Sequence, residues 1–141
     1  MNDEPVVFPS VRAALQDVNI VKVGISLNID TGILAAEGII PSRAFVRQSS
    51  RQPLPFRGLY GFFDLGLHAN NRMFIHNPNG PNHSLDSLAR EFLHETVDGG
   101  DIQRSDWSME VLTPEMLEYA ALDAHIVFRI CVAMTQHVRA Q

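Results

Sequence analysis

The sequence predicts an α/β fold, and three observations support this class. Helical and strand-like segments alternate in the order helix, strand, helix, long loop, strand, helix, helix. Two strand-like runs, residues 20–27 and 60–67, are almost wholly apolar, which predicts strands buried on both faces, as in a parallel sheet. The 141 residues, 45% hydrophobic and 19% charged, suffice for one domain with a core of its own.

The first half of the chain holds the first predicted helix and strand. Residues 6–8 form a short apolar run that Pro9 ends, and Ser10 is predicted to cap a helix that runs to about Val18. The run at 20–27 is rich in β-branched residues, which favour strands. A short helix is predicted from Thr31 to Gly38, because glycine commonly ends helices.

Two loop-like segments flank the second predicted strand. Residues 41–58 form a polar, proline-bearing connection that carries four arginines. They are compatible either with a solvated loop or with a local phosphate-binding patch. Residues 70–82 are rich in asparagine, glycine and proline, which predicts a surface excursion.

The second half contains two helices with clear start signals. Ser84 is predicted to cap a helix that runs to about Glu95. The last helix is predicted to begin with Thr113 as its N-cap and Pro114 at its first position. Its expected buried face is an apolar stripe with helical spacing, formed by Leu117, Ala120, Ala121, Ala124, Phe128 and Cys131.

Composition and charge bound the functional class. A formal net charge of −5 gives no global attraction to nucleic acid or to anionic membranes, so such contacts have to be local. The single Cys131 cannot form an internal disulfide, and it is expected to be a small buried side chain. No apolar run approaches the roughly 18 residues of a membrane span, and the acidic N-terminus does not resemble a signal peptide. We therefore expect an intracellular protein without membrane association.

The candidate chemistry involves two aspartates and a tyrosine. Tyr119 and Asp123 are four residues apart on a predicted helix, which places both side chains on one face. A carboxylate can hold a divalent cation and a phenol can orient a water molecule, although this spacing also occurs by chance. Asp30 follows a predicted buried strand, where α/β folds place ligands. Its alternative interpretation is a helix cap, a role that Asn28 could also fill.

Several segments, in this order and spacing, resemble the 3′–5′ exonuclease domain of the ribonuclease D and Werner-helicase type, the tyrosine subclass of the DEDD superfamily. The resemblance covers residues 18–132. The segments that carry it are Val21-Lys22-Val23-Gly24-Ile25 with Asp30, Phe63-Asp64-Leu65, Ser84-Leu85-Asp86-Ser87-Leu88, Ser105-Asp106-Trp107, Leu112-Thr113 and Tyr119-Ala120-Ala121-Leu122-Asp123-Ala124.

The resemblance implies a ribonuclease-H-like fold, with a mixed sheet between helices, and removal of nucleotides from 3′ ends by two-metal hydrolysis. The implied cofactor is Mg²⁺ or Mn²⁺, and the implied partner is single-stranded DNA or RNA with a 3′ end. By resemblance, Asp123 is a metal ligand, Tyr119 orients the attacking water, and Asp30 supports the second metal.

One departure from the family pattern changes the functional expectation. The family's first motif, an Asp-x-Glu on the central strand, has no counterpart here, because Asp3 and Glu4 are adjacent and would point to opposite faces of a strand. We therefore expect residues 1–141 to form a single partial exonuclease domain, N-terminally truncated and with an incomplete sheet. Hydrolysis is expected to be weak or absent. A non-catalytic module that binds nucleic acid or protein is the alternative, and a protein partner or a missing N-terminal segment is expected to complete the sheet.

Overall fold

A computed structural model describes residues 8–41, 61–72 and 83–139 of the chain. The chain divides into two compact units, Met1–Asn82 and His83–Gln141, which are described in turn. The predictions for residues 6–7, for the arginine-bearing connection beyond Pro41 and for residues 73–82 fall outside the described ranges. The organisation as one partial domain over residues 1–141 stays a prediction.

The first unit contains a parallel pair of strands with helices before, between and after them. Its elements are α1 (Pro9–Gln16), β1 (Lys22–Gly24), α2 (Leu27–Ala36), β2 (Phe62–Asp64) and α3 (Leu65–Arg72). In the parallel register, Lys22 lies opposite Phe62 and Gly24 lies opposite Asp64. The predicted α/β class is therefore confirmed. Both strands are shorter than predicted, since the chain enters α2 at Leu27 and α3 directly after Asp64.

The core of the first unit lies where α1, β2 and the end of α2 meet. Its buried cluster comprises Ile39, Ile40 and Phe62. The Gln16 side chain donates a 2.7 Å hydrogen bond to the carbonyl of Ile39, which fastens α1 to the turn after α2. The prediction of Ser10 as the N-cap of α1 is wrong, because Phe8 holds that position. The proline that follows Phe8 suits a helix start, since its missing N–H would have no partner there.

The carboxylate of Asp64 joins three elements of this unit. It ends β2 and is only 2% exposed. Its Oδ2 accepts a 2.9 Å hydrogen bond from the N–H of Leu27, and its Oδ1 accepts a 3.1 Å hydrogen bond from the N–H of Leu67. Ser26, the residue before α2, has a left-handed backbone and makes no side-chain cap. One buried carboxylate therefore binds the first turns of both α2 and α3.

The second unit contains α4 (Leu85–Leu93), a 3₁₀ turn (Ile102–Arg104) and α5 (Pro114–Arg139). Both predicted N-caps are confirmed: the Ser84 hydroxyl accepts the N–H of Ser87 at 3.1 Å, and the Thr113 hydroxyl accepts the N–H of Met116 at 3.3 Å. None of the helices described is both long enough and apolar enough to cross a lipid bilayer.

The buried face of α5 differs from the predicted one. Leu117 and Phe128, two members of the predicted stripe, are 55% and 60% exposed. The buried residues are instead Met116, Ile130 and Met134. Periodicity alone could not choose between these faces, because α5 carries apolar residues on both sides.

The close approach of Gly61 to the turn before β1 predicts that a side chain there is not tolerated. Gly61 has φ +76°, and an added Cβ would lie 2.5 Å from the carbonyl oxygen of Ile20. We expect Gly61→Ala to destabilise the first unit by about 2 kcal/mol or more, because a left-handed alanine alone costs about 1–2 kcal/mol. Thermal unfolding followed by circular dichroism measures the effect.

Gly32→Ala is the matched control for this substitution. Gly32 lies inside α2, and an added Cβ would meet no atom within 4 Å. Alanine there is expected to stabilise the helix by about 0.5–1 kcal/mol. Equal unfolding temperatures for the two variants would contradict the proposed role of Gly61.

The double hydrogen bond of Asp64 predicts a graded loss of stability. We expect Asp64→Ala to cost about 2–5 kcal/mol, because two buried N–H groups lose their acceptor. Asp64→Asn retains one carbonyl oxygen and should fall between the wild type and Asp64→Ala. Denaturant unfolding provides the measurement, and Glu37→Ala, an exposed substitution in the same unit, should stay within about 0.5 kcal/mol of wild type. If Asp64→Ala were as stable as the wild type, Asp64 would not be the stabilising acceptor for α2 and α3.

Candidate active site

Tyr119 and Asp123 lie together on α5, as their spacing predicts. Both are half-buried. They follow Met116 and precede Ile130 at helical intervals, so they belong to the same face of α5 as its buried residues. The pair therefore lies on the packed side of the helix.

The electrostatics of this pair keep the phenol protonated. Burial raises the pKa of Tyr119 above its ordinary value, the negative charge of Asp123 raises it further, and so does the hydrogen bond that the neutral phenol can donate to that carboxylate. Tyr119 is thus held as a neutral hydrogen-bond donor beside a carboxylate. Such a pair can orient a polar group or a water molecule, whereas a tyrosinate base is disfavoured there.

An aromatic side chain from the preceding loop reaches the same place. The ring centroids of Trp107 and Tyr119 are 6.0 Å apart, with their planes inclined by 50°. The loop that carries Trp107 is ordered by Asp106, whose Oδ1 accepts the N–H of Ser108 at 3.0 Å and the hydroxyl of Ser108 at 2.6 Å. The hydrogen bond from the Ser108 hydroxyl, and to a smaller extent the one from its backbone N–H, hold the pKa of Asp106 below its usual range.

Asp30, the third predicted site residue, lies in the first unit. It occupies the first turn of α2 and is exposed. The expectation that it directly follows the strand is wrong, because α2 begins at Leu27 and includes it. The cap interpretation is also wrong for Asp30 and Asn28, since the N-cap position belongs to Ser26. In the first turn, a carboxylate interacts favourably with the positive end of the helix dipole.

The donor set for a metal ion is incomplete in the part of the chain that the structure describes. In residues 8–41, 61–72 and 83–139, no group of three or more histidine, cysteine, aspartate or glutamate side chains could hold a cation. The structure brings Asp123 together with Tyr119, and Asp30 lies in the other unit. Asp3 and Glu4 lie outside the described residues. The described residues thus bring together only part of the donor set that a two-metal centre needs.

Sequence reasoning did not single out two residues that lie next to candidate side chains or position their helix, one in each unit. Asp64 was interpreted only as part of a strand, although an aspartate directly before a helix is a recognisable cap signal. Trp107 lies against Tyr119 near the start of α5 and is 38% exposed. No local pattern in the sequence distinguishes a packed tryptophan from a partly exposed one.

The raised pKa of Tyr119 can be tested by titration. In a Tyr60→Phe background, Tyr119 is the single tyrosine, and its absorbance change on ionisation should occur above the ordinary pKa of about 10. Asp123→Asn should move the Tyr119 pKa towards that value, because the like charge disappears. The pKa of Tyr119 is higher in the folded chain than in the unfolded chain. The stability that this difference contributes is therefore complete below the pKa of the unfolded chain, and it is lost as the pH rises through the pKa of the folded chain.

Glu118→Gln is the control, because Glu118 is an exposed acid on the same helix and is not among the causes of the shift. It should leave the titration of Tyr119 unchanged. An identical Tyr119 pKa in the presence and absence of the Asp123 carboxylate would contradict the interaction.

Comparisons with known proteins give the family of this chain. A family model described as 3′–5′ exonuclease matches residues 1–139. A crystal structure of the EXD2 exonuclease domain soaked in Mn is 25% identical, with a TM-score of 0.37, and the match covers 96% of this chain and 57% of that one. A second, soaked in Mn and GMP, is 25% identical with a TM-score of 0.36, over 95% of this chain and 58% of that one.

The chain thus spans less than two thirds of the EXD2 domain structures that it matches. Among proteins with curated descriptions, none matches it significantly. The family match nevertheless extends over almost the whole sequence and agrees with the motifs found in it. The α/β architecture and the order of these motifs are those of a ribonuclease-H-like exonuclease domain. The chain therefore belongs to the 3′–5′ exonuclease domain family.

Proposed function

We propose that this chain acts on the 3′ ends of single-stranded nucleic acid through its exonuclease-type scaffold, and that the chain alone hydrolyses phosphodiester bonds weakly or not at all. The observation that carries the proposal is the pairing of Tyr119 with Asp123 on the packed face of α5. The family assignment supports the nucleic-acid substrate.

Tyr119 is the residue for which the geometry supports a definite role. Its phenol remains protonated at neutral pH and lies next to a carboxylate, so it can donate a hydrogen bond to a water molecule or to a phosphate oxygen. The partly exposed Trp107 lies beside it. We assign Tyr119 to orienting the attacking water and Asp123 to holding a divalent cation, which would stabilise the negative charge of the reacting phosphate.

The proposed weakness of hydrolysis rests on the sequence, in which the family's Asp-x-Glu motif has no counterpart. Family chemistry needs a divalent cation, for which we propose Mg²⁺ or Mn²⁺ with Asp123 and Asp30 among the ligands. Within the described ranges, however, no three suitable ligands come together. Lost metal ligation removes several kcal/mol of transition-state stabilisation, and each 1.4 kcal/mol corresponds to about tenfold in rate. We therefore expect this chain to hydrolyse a single strand at least about a hundredfold more slowly than the EXD2 exonuclease domain does.

A binding module without hydrolysis is the second candidate function, because the sequence has no counterpart of the family's Asp-x-Glu motif. A related proposal concerns the sheet. In the described residues it has two strands, and Ile20 and Val21 before β1 are 44% and 45% exposed. We propose that a further strand, from a protein partner or from additional exonuclease-domain sequence, pairs with the two-stranded sheet and covers this apolar surface.

A degradation assay with variants tests the proposal. The substrate is a 5′-labelled single strand, incubated with Mn²⁺ or with EDTA. The EXD2 exonuclease domain, assayed in parallel, is the positive control. We expect the chain to bind the strand but to shorten it at least about a hundredfold more slowly than the control domain. Asp123→Asn and Asp30→Asn should reduce any residual rate, because each removes a proposed ligand.

Glu118→Gln serves as the matched control, since it neutralises an exposed acid elsewhere on α5. It should not change the residual rate. Fast Mn²⁺-dependent shortening that Asp123→Asn abolishes would overturn the proposed weakness of hydrolysis. Failure of the folded chain to bind any single strand would overturn the proposed action on nucleic acid.

A further inference from the structure

Trp107 has a position that simple packing does not account for. It is the single tryptophan of the chain, and 38% of it remains exposed although it touches α5 through Tyr119. A tryptophan that only supported the start of a helix would gain most by burying its whole indole ring. The exposed part of the ring is therefore available to a ligand.

The loop around Trp107 limits its freedom of movement. On its N-terminal side, the ionised Asp106 accepts two hydrogen bonds from Ser108 and closes a tight turn about the tryptophan. On its C-terminal side, α5 begins at a fixed point, because Thr113 caps the N–H of Met116. The backbone on both sides of Trp107 is thus ordered and its ring lies against Tyr119, so a ligand that stacks on the ring has less ordering to do.

The chemistry next to Trp107 identifies the kind of ligand. Tyr119, with its ring centroid 6.0 Å away, offers a neutral hydroxyl donor beside the Asp123 carboxylate. A nucleotide presents matching groups, a flat base with an aromatic face and a phosphate with oxygen acceptors. Stacking of bases on aromatic side chains tolerates any sequence, which suits an enzyme that removes successive nucleotides.

We infer that Trp107 is the stacking platform for the base of the 3′-terminal nucleotide whose phosphate lies at Tyr119. This inference rests on the proposed function, because it assigns a residue to the binding of the same strand end. It makes Trp107 a binding residue for the terminal nucleotide and assigns no bond-making step to it.

The single tryptophan gives a direct readout. Under tryptophan-selective excitation, the fluorescence of Trp107 should be quenched when a single-stranded oligonucleotide binds. The probe is an oligonucleotide with a phosphorothioate as its last linkage, which slows hydrolysis, in Mg²⁺-containing buffer. Binding is measured independently by the anisotropy of a 5′ label. An otherwise identical oligonucleotide without the 3′-terminal base should bind more weakly and should not quench, whereas one without an internal base should still quench.

Substitutions separate stacking from packing. Trp107→Leu should weaken binding about 5- to 100-fold, the range expected for one stacked base, and should make binding insensitive to the 3′-terminal base. Trp107→Phe keeps an aromatic face and should recover part of the affinity. Phe128→Leu is the control, since Phe128 is an aromatic residue of the same unit with 60% exposure. It should bind like wild type, and circular dichroism verifies that each variant is folded.

The outcomes distinguish this inference from the proposed function. If the oligonucleotide binds but neither the fluorescence of Trp107 nor the effect of Trp107→Leu depends on the 3′-terminal base, the inference fails and the proposed function stands. If anisotropy detects no binding to the folded wild-type chain, both fail. Quenching, weakened binding of Trp107→Leu and loss of sensitivity to the terminal base together support the platform.

Discussion

The carboxylate of Asp64 is the interaction on which the first unit depends. It lies at the end of β2 and accepts hydrogen bonds from Leu27 and Leu67, so the strand and the first turns of two helices meet at one group. A charged acceptor for backbone N–H groups is stronger than a neutral one, which suits a position that is 2% exposed. The orientation of α2, and with it the position of Asp30, therefore follows from a residue more than 30 positions later in the chain.

This distant contact explains what could and could not be predicted in the first unit. The class of fold could be predicted, because apolar β-branched runs and cap residues are recognisable within short segments of the sequence. The start of α2 did not, since its acceptor is supplied by Asp64 and not by Asn28 or Asp30. When a distant residue accepts the first N–H groups of a helix, the sequence at the start of that helix carries no cap signal. For this reason the prediction placed Asp30 outside α2, which contains it.

In the second unit, the features that depend on nearby residues in the sequence could be predicted, whereas those that depend on packing could not. Ser84 and Thr113 were correctly identified as caps, because each hydroxyl accepts an N–H three residues ahead. The pairing of Tyr119 with Asp123 also followed from helix geometry alone. The buried face of α5 did not, because that choice depends on which neighbours cover the helix. The same limit applies to Trp107, whose exposure is a property of packing and not of its adjacent sequence.

The unequal lengths of α4 and α5 have a further consequence. At about 1.5 Å per residue, the 26 residues of α5 extend about 39 Å, whereas the nine of α4 extend about 13 Å. A short helix can shield only part of a long one, and Leu117, Phe128 and Val132 are left at 55%, 60% and 41% exposure. Apolar area of this kind favours self-association. The exposed apolar side of α5 is therefore one surface through which copies of the protein can associate.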